Sequence, residues 1–305
     1  MTSPCKAGNR TLGGTNAFGT TNTFAGTTYS NSGGSLTVTS TTAGAILAFT
    51  NANAIDLKET TVIFNGAGNT NVSGAIYNSV NAGSVTKDGT GTLTFSGGNS
   101  YDGATAVNGG TLVAANAAAL GTTTAGTTVA SGATLDVQAS LAAEAISVGG
   151  TGVGGLGALV TSTGTGTVAG LVTLSGNASI GGAGTLNVSG GLAGAFTVTK
   201  VGAGTTHLSG PHTFSTLTTS AGTTNVDSAL AATSTVNANA TTNFTVSQKF
   251  GALNIGTVPL ANPLAAFSGS EVGTHLGVAA VPEPGSIGLL LIGALGLASR
   301  RRRNS

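Results

Sequence analysis

The sequence predicts an all-β chain wound into a β-solenoid, and three observations carry this prediction. The 305 residues include 51 glycines, but only 4% are aromatic and 6% are charged, so few large side chains can fill a compact core. Short phrases alternate apolar and polar residues, as strands with one buried face do. Related glycine steps at Gly91, Gly110 and Gly132 recur at intervals of about 20 residues, a spacing that suits one turn of a solenoid.

Three phrases show the strand pattern most clearly: SLTV from Ser35, TLDV from Thr134 and TLNV from Thr185. Alternation predicts that their apolar side chains point inward, namely Leu36, Val38, Leu135, Val137, Leu186 and Val188. The Asn65-Gly66 and Asn108-Gly109 steps are expected to supply the positive φ that tight corners require.

The middle of the chain contains an internal repeat. Val85–Gly97 reads VTKDGTGTLTFSG and Val198–Gly210 reads VTKVGAGTTHLSG, so eight of thirteen positions are identical at an offset of 113. An aromatic residue, Tyr101 or Phe214, follows each copy, and a glycine-threonine step comes next. Such repeats predict stacked copies of one structural unit.

Residues 83–121 resemble the autotransporter-associated β-strand repeat, which runs from Lys-x-Gly-x-Gly-Thr-Leu through Asn-x-Tyr-x-Gly to Gly-Thr-Leu. The matching residues are Lys87, Gly89, Gly91, Thr92, Leu93, Asn99, Tyr101, Gly103, Gly110, Thr111 and Leu112. The resemblance implies a right-handed parallel β-helix. The second copy, near residues 198–233, departs from the pattern at Thr206, His207 and Thr216.

The C-terminal residues form three blocks: Val281-Pro282-Glu283-Pro284, an apolar run from Gly285 to Ser299, and Arg300-Arg301-Arg302-Arg303. The run predicts a short hydrophobic helix of about 22 Å, against a hydrocarbon core of about 30 Å. The positive-inside rule places the arginines on the cytoplasmic side and the body of the chain across the membrane. The two prolines stop the helix and keep an extended segment open to a processing enzyme.

This tail resembles the PEP-CTERM sorting signal, which has the same three blocks in the same order. The resemblance implies recognition by an exosortase-type enzyme, cleavage near Pro282 to Pro284 and transient anchoring in the inner membrane. It also implies transfer of the body to the envelope, outer surface or extracellular matrix of a Gram-negative-type bacterium. The alternative is a plain C-terminal anchor helix that is never cut.

These features divide the chain into an N-terminal segment 1–29 that is truncated or acts as a cap, a β-solenoid over 30–260, a linker over 261–280 and the sorting signal over 281–305. At about 20 residues per turn and about 4.8 Å per strand, the solenoid would have about 11 turns and a length of roughly 50 Å. The first ten residues, MTSPCKAGNR, lack the apolar stretch of a secretory signal peptide, so we expect the true start upstream. Cys5 is the single cysteine, so it cannot form an intramolecular disulfide.

The charge balance argues against nucleic acid as a partner. The formal net charge is +1, but without residues 282–305 six basic and eight acidic residues remain, a net of −2. The body has no basic stretch of the kind that follows a phosphate backbone.

Carboxylate pairs are the first candidates for chemistry, because glycoside hydrolysis needs two carboxylates about 5 to 9 Å apart. Asp56 with Glu59, or Asp88 with Asp102, are the candidate pairs, but we expect all four to be solvated turn residues.

Histidines and a glycine motif are the other candidates. His207 and His212 flank Gly210-Pro211, but neither has a Cys or carboxylate as a third partner, so we expect no metal site and predict that His207 is a partly buried ladder residue. The Gly152 to Gly157 stretch matches G-x-G-x-x-G, but no amphipathic helix follows to bind a phosphate, so we expect no nucleotide cofactor.

The sequence leads to hypotheses from different classes. The first is a non-enzymatic, exported β-solenoid of the cell surface or a biofilm matrix, whose Thr, Asn and Ser ladders offer weak hydrogen-bonding sites to extracellular polysaccharide or other surface proteins. The second is a carbohydrate-active β-helix enzyme, a polysaccharide lyase or hydrolase. A third is a passive remnant of a longer surface protein. We expect the first, and no enzymatic activity.

Overall fold

The computed structural model describes residues 9–14, 17–29 and 34–256, and these form a right-handed β-solenoid of about 11 turns. The all-β prediction is confirmed over this part of the chain. In chain order the strands are β1 (Arg10–Gly14), β2 (Thr21–Phe24), β3 (Thr28–Tyr29), β4 (Leu36–Ser40), β5 (Ile46–Phe49), β6 (Asn53–Asp56), β7 (Thr61–Asn65), β8 (Asn69–Val72), β9 (Ala75–Tyr77), β10 (Ser84–Lys87), β11 (Thr92–Phe95), β12 (Thr105–Val107), β13 (Thr111–Ala114), β14 (Thr127–Val129), β15 (Thr134–Val137), β16 (Ser140–Leu141), β17 (Ile146–Gly150), β18 (Leu159–Val160), β19 (Thr165–Val168), β20 (Val172–Gly181), β21 (Thr185–Val188), β22 (Leu192–Ala193), β23 (Thr197–Val201), β24 (Thr205–Leu208), β25 (Thr216–Thr219), β26 (Thr223–Val226), β27 (Thr235–Ala238), β28 (Thr241–Phe244) and β29 (Ala252–Ile255).

The strands stack in parallel columns, each strand pairing with its equivalent in the next turn. One column runs β1-β4-β7-β10-β12-β14-β17-β20. A second runs β2-β5-β8-β11-β13-β15-β18-β20-β23-β25-β27-β29. The third side carries β3-β6-β9 and, further along the rod, β16-β19-β21-β24-β26-β28.

Turn length varies along the rod. The paired residues are 26 positions apart for Leu36 and Val62, 19 for Thr92 and Thr111, 24 for Leu135 and Leu159, and 17 for Thr235 and Ala252. Four of the large buried rings lie in the first half of the rod, namely Phe49, Phe64, Phe95 and Tyr101, and Phe214 lies in the second half.

The predicted inward residues all lie in the core, which confirms the alternation argument: Leu36, Val38, Leu135, Val137, Leu186 and Val188 are buried. The corner prediction holds only in part. Gly66 has a φ of 103°, as expected, but at the second corner the positive φ belongs to Gly110, at 61°, and not to Gly109. A Cβ on Gly110 would also meet the carbonyl oxygens of Gly91 and Gly89, so this corner needs a glycine for both reasons.

The N-terminal segment predicted over residues 1–29 is described only in part, and the linker and the sorting signal lie outside the described residues. Strands β1 to β3 fall within residues 10–29, which we assigned to the N-terminal segment, and each pairs in parallel with a strand of the next turn. The hydrophobic helix predicted for Gly285 to Ser299 lies outside the described residues. Among residues 9–14, 17–29 and 34–256, no helix is long and apolar enough to cross a membrane.

Candidate functional site

The repeat signature begins with a buried lysine at a corner of the solenoid. The Lys87 Nζ donates hydrogen bonds to the backbone carbonyls of Asp88 at 2.6 Å, Gly89 at 2.9 Å and Gly109 at 3.0 Å. Gly109 belongs to the next turn. The ammonium has three donors, and all three are used to join two turns.

The second copy of the repeat has the same arrangement at its own lysine. The Lys200 Nζ donates to the carbonyls of Val201 at 3.0 Å, Gly202 at 2.7 Å and Ala221 at 3.1 Å. Burial lowers the pKa of Lys87 and of Lys200 to about 8, and the nearby Asp88 carboxylate opposes this shift at Lys87. The lysine of the motif is therefore a structural clamp between turns.

The Asn-x-Tyr-x-Gly part of the signature is also structural. The Asn99 Oδ1 accepts a hydrogen bond from the Ile76 N–H at 2.8 Å, and its Nδ2 donates to the Ala119 carbonyl at 2.5 Å, so one amide joins three turns. Tyr101 is fully buried, and its hydroxyl lies 2.6 Å from the Thr105 Oγ1. Burial raises the pKa of Tyr101, which keeps the phenol neutral.

The carboxylates of the described residues bridge neighbouring turns in the same way. Each accepts a hydrogen bond from a residue 17 to 26 positions away: Asp56 from Ser79, Glu59 from Asn81, Asp88 from Asn108, Asp102 from Thr122, Asp136 from Ser162, Glu144 from Thr127, and Asp227 from Thr245. Burial raises the pKa of Glu144. These acids act as ties along the rod.

Three of the four candidate carboxylates, all except Glu59, differ from the solvated residues we expected. Asp56 is only 3% exposed, and three donors surround it, the Lys58 N–H at 3.0 Å and the N–H and hydroxyl of Ser79 at 3.1 and 2.7 Å. Glu59 is exposed. Asp88 and Asp102 are half-buried, because Asn108 and Thr122 from the next turn cover them.

The prediction for His207 was wrong in one respect. A carboxylate does lie beside it: the His207 Nδ1 is 2.8 Å from the Asp227 Oδ2, and the Asn225 Nδ2 is 3.2 Å from the Nε2. The sequence did not indicate this pair, because Asp227 lies 20 residues away from His207, on the next turn. His207 points outward, while Thr206 takes the inward position equivalent to Leu93.

His212 lies apart from this pair. It is buried, and its Nδ1 accepts a hydrogen bond from the Leu192 N–H at 3.1 Å. Burial lowers the pKa of His212. Among the described residues, no group of three or more His, Cys, Asp or Glu side chains could hold a metal ion.

The G-x-G-x-x-G stretch forms a loop with a short 3-10 turn, Val153–Gly155, and in the described part of the chain no α-helix follows it, as expected. The loop covers one side of a groove of about 360 Å³, whose walls include Val153, Leu156 and Val160. The single carboxylate of the lining, Asp136, already accepts hydrogen bonds from Ser162 and Gln138.

A cluster on β3, β6 and β9 was missed from the sequence. The parallel register places Tyr29, Asp56 and Tyr77 side by side on three consecutive turns. The residues before the last two, Ile55 and Ile76, are buried in the core, so alternation directs the row outward. The sequence offered one signal for this cluster, because the chain has only three tyrosines. Their alignment could not be predicted, since it depends on two turns of different length.

Asp56 organises this cluster. The Lys58 Nζ lies 4.0 Å from the Asp56 Oδ2 and 5.7 Å from the centre of the Tyr29 ring. Tyr29 is 59% exposed and Tyr77 is half-buried. Burial first, and then the negative charge of Asp56, raise the pKa of Tyr77, so its phenol is neutral. We call Tyr29, Asp56, Lys58 and Tyr77 the tyrosine platform.

The predicted sorting residues, Val281 to Arg303, lie outside the described residues, and comparison with protein families bears on them. Residues 280–303 match the PEP-CTERM protein-sorting motif. The chain carries a PEP-CTERM sorting motif. Residues 85–114 match the passenger-associated-transport-repeat, and they include the clamp formed by Lys87. Both resemblances stated from the sequence are thereby confirmed.

The two matches cover the tail and one repeat. Searches of curated proteins and of solved structures each find no match to the chain. The sorting motif, the passenger-type repeat and the solenoid together support an exported, envelope-associated surface β-helix protein.

Proposed function

We propose that the chain is a non-enzymatic rod of the cell surface or extracellular matrix, with a structural and adhesive role. The observation that carries the proposal is the PEP-CTERM motif at residues 280–303, because such a motif is useful only to a chain that leaves the cytoplasm. An exosortase-type enzyme would cut near Pro282 to Pro284, after the apolar run and the four arginines have held the tail in the inner membrane.

The hydrogen bonds of the body support a mechanical role. Lysine clamps and carboxylate ties connect successive turns, and a rod joined in this way resists bending and local opening. The seven described carboxylates are all used as ties, which favours a structural over a hydrolytic role. A glycosidase needs one carboxylic acid and one carboxylate facing a substrate.

An outward ladder supports the adhesive role. The threonines of β19, β21, β24, β26 and β28 pair in register, namely Thr165, Thr185, Thr205, Thr223 and Thr241. A second row beside it contains Asn187, Asn225 and Asn243. Repeated hydroxyl and amide groups about 4.8 Å apart can form many weak hydrogen bonds to a long polymer.

Intact mass in a fractionated culture of the native host tests this proposal. We expect the chain outside the cytoplasm to lack the tail that follows Val281. Replacing Pro282 and Pro284 together by Ala should leave the tail uncut and the chain in the membrane fraction. The matched control, Pro259→Ala with Pro263→Ala, changes two prolines outside the motif and should be processed normally. An uncut chain confined to the cytoplasm would contradict the proposal.

A further inference from the structure

We propose that the tyrosine platform binds an extended, neutral polysaccharide, with Tyr29 and Tyr77 stacking on two sugar rings of the same polymer. This inference rests on the proposed function, since a surface rod meets such polymers, and it names the ligand that one part of the rod would hold.

The distribution of aromatic residues points to this site. The chain has no Trp and three Tyr, of which Tyr101 is fully buried and bonded to Thr105. The other two lie in one outward row on β3 and β9, on either side of β6. A ring presents an apolar face to the C–H groups of a sugar, and the phenol at its edge can bond a sugar hydroxyl.

The spacing of the two rings suits a linear chain of sugars. Tyr29 and Tyr77 are two strand spacings apart, which is about 10 Å. That distance corresponds to two linked hexose units. Ser100 is the small, exposed residue that follows in the same direction, because its N–H bonds the Ile76 carbonyl at 2.9 Å, so the path along the rod stays open beyond Tyr77.

Asp56 holds the platform in shape before any ligand arrives. Its carboxylate accepts hydrogen bonds from the Lys58 N–H and from Ser79, so it fixes the corners of two successive turns. Lys58 has a φ of 57°, a left-handed backbone conformation that residues other than glycine rarely adopt. A site held rigid in this way loses little conformational entropy on binding.

The charges of the platform select a neutral ligand. Asp56 and Glu59 are acidic and Lys58 is basic, so the local net charge is −1, and Lys58 is already close to Asp56. A uronic acid polymer would meet this negative charge, whereas a neutral glycan would not. Glu59 is exposed, and Asn81 donates to it at 3.1 Å, so a polar rim for sugar hydroxyls lies beside the rings.

The test measures the binding of neutral and acidic oligosaccharides to the full chain. Cellohexaose and maltohexaose are the neutral probes, and hexagalacturonate is the acidic probe. Because the chain lacks Trp, its fluorescence comes from tyrosine, and we expect a saturable change on adding at least one neutral probe. Calorimetry should show that Tyr29→Ala and Tyr77→Ala each weaken binding about two- to tenfold, while Tyr29→Phe keeps most of the affinity.

The matched control is Phe18→Ala, since Phe18 is an aromatic residue, 81% exposed, outside the platform. It should bind as the wild type does, and circular dichroism should show all variants folded. Binding of neither neutral probe, preference for the acidic probe, or unchanged affinity in the Tyr29→Ala, Tyr77→Ala double variant would each overturn the inference.

The outcomes for the platform and for export are separate. A chain that is exported and processed but binds no glycan removes the platform site and leaves the proposed function. A purified chain that binds neutral glycan through its tyrosines, but stays in the cytoplasm of its host, supports the site and removes the proposed function.

Discussion

Lys87 in the first copy of the repeat and Lys200 in the second lie at equivalent corners, and each ammonium donates to three backbone carbonyls, two in its own corner and one in the next turn. The interiors around these corners differ. In the first copy the ring of Phe95 packs edge to face, at 5.8 Å, against Phe64 of the preceding turn, whereas Leu208 takes the position of Phe95 in the second copy.

Buried hydroxyls replace apolar side chains in the second copy. Thr206 takes the place of Leu93, and Thr219 bonds Thr224 at 2.9 Å and Thr242 at 2.8 Å. The comparison shows that the corner defines the turn, while the interior can change in size and polarity as long as most of its hydroxyls find partners.

The largest expected effect concerns the size of the two interiors. Phe95→Ala should lower the free energy of unfolding by about 3–5 kcal/mol, because it removes a buried ring and leaves a cavity. Leu208→Ala, at the equivalent position, should cost about 2–3 kcal/mol, since less volume is lost. Urea unfolding followed by circular dichroism measures both. A greater loss at Leu208 would mean that the second interior is the better packed.

The shared corner predicts equal damage in both copies when a glycine gains a Cβ. A Cβ on Gly91 would overlap the carbonyl oxygen of Gly68, and one on Gly204 would overlap that of Gly184. Gly91→Ala and Gly204→Ala should each cost about 1–3 kcal/mol in urea unfolding. Gly176→Ala is the matched control, because nothing lies near its added Cβ, and it should change stability little. If alanine were tolerated in only one copy, the corners of the two copies would not be equivalent.

Replacing two buried threonines of the second interior by valine should change stability in opposite directions. The Thr206 Oγ1 is buried and has no hydrogen-bond partner among the described residues, so Thr206→Val should raise stability by about 1 kcal/mol. Thr219→Val should lower it by about 1–3 kcal/mol, because Thr224 loses its hydrogen-bond partner and Thr242 keeps only the Ala240 carbonyl. Thermal unfolding of the two variants checks this. If Thr206→Val lowered stability instead, the Thr206 hydroxyl would have to stabilise the folded chain.

The lysine clamps predict a small dependence of stability on alkaline pH. Burial lowers the pKa of both lysines to about 8 from the ordinary value of 10.5. Between these values the unfolded chain binds more protons than the folded chain, so stability should rise as pH increases from about 8 to about 10.5, and this contribution should be constant below pH 8.

The double variant Lys87→Met, Lys200→Met should lose that rise, and Lys249→Met, which changes an exposed lysine, should keep it. Urea unfolding at a series of pH values from 7 to about 10.5 measures the slope. An unchanged slope in the double variant would mean that other groups cause it.

Sequence reasoning succeeded where the determining pattern is local. Alternation alone placed Leu36 and Val188 in the core, and the Asn65-Gly66 step located the corner at which Gly66 has a positive φ. It failed where two turns meet, as in the bond from Lys87 to Gly109 and the alignment of Tyr29 with Asp56. Turn length varies along the rod, so the register between turns cannot be read from any one phrase.

Amide-to-amide contacts measured by nuclear magnetic resonance on the labelled chain test most directly whether both copies form the same parallel, lysine-closed turn. We predict contacts between β10 and β12 in the register Val85 to Thr105, and between β23 and β25 in the register Val198 to Leu217, both parallel. Antiparallel contacts that join Val85 to Val107, or a different register in the second copy, would contradict the solenoid and the equivalence of its two clamps.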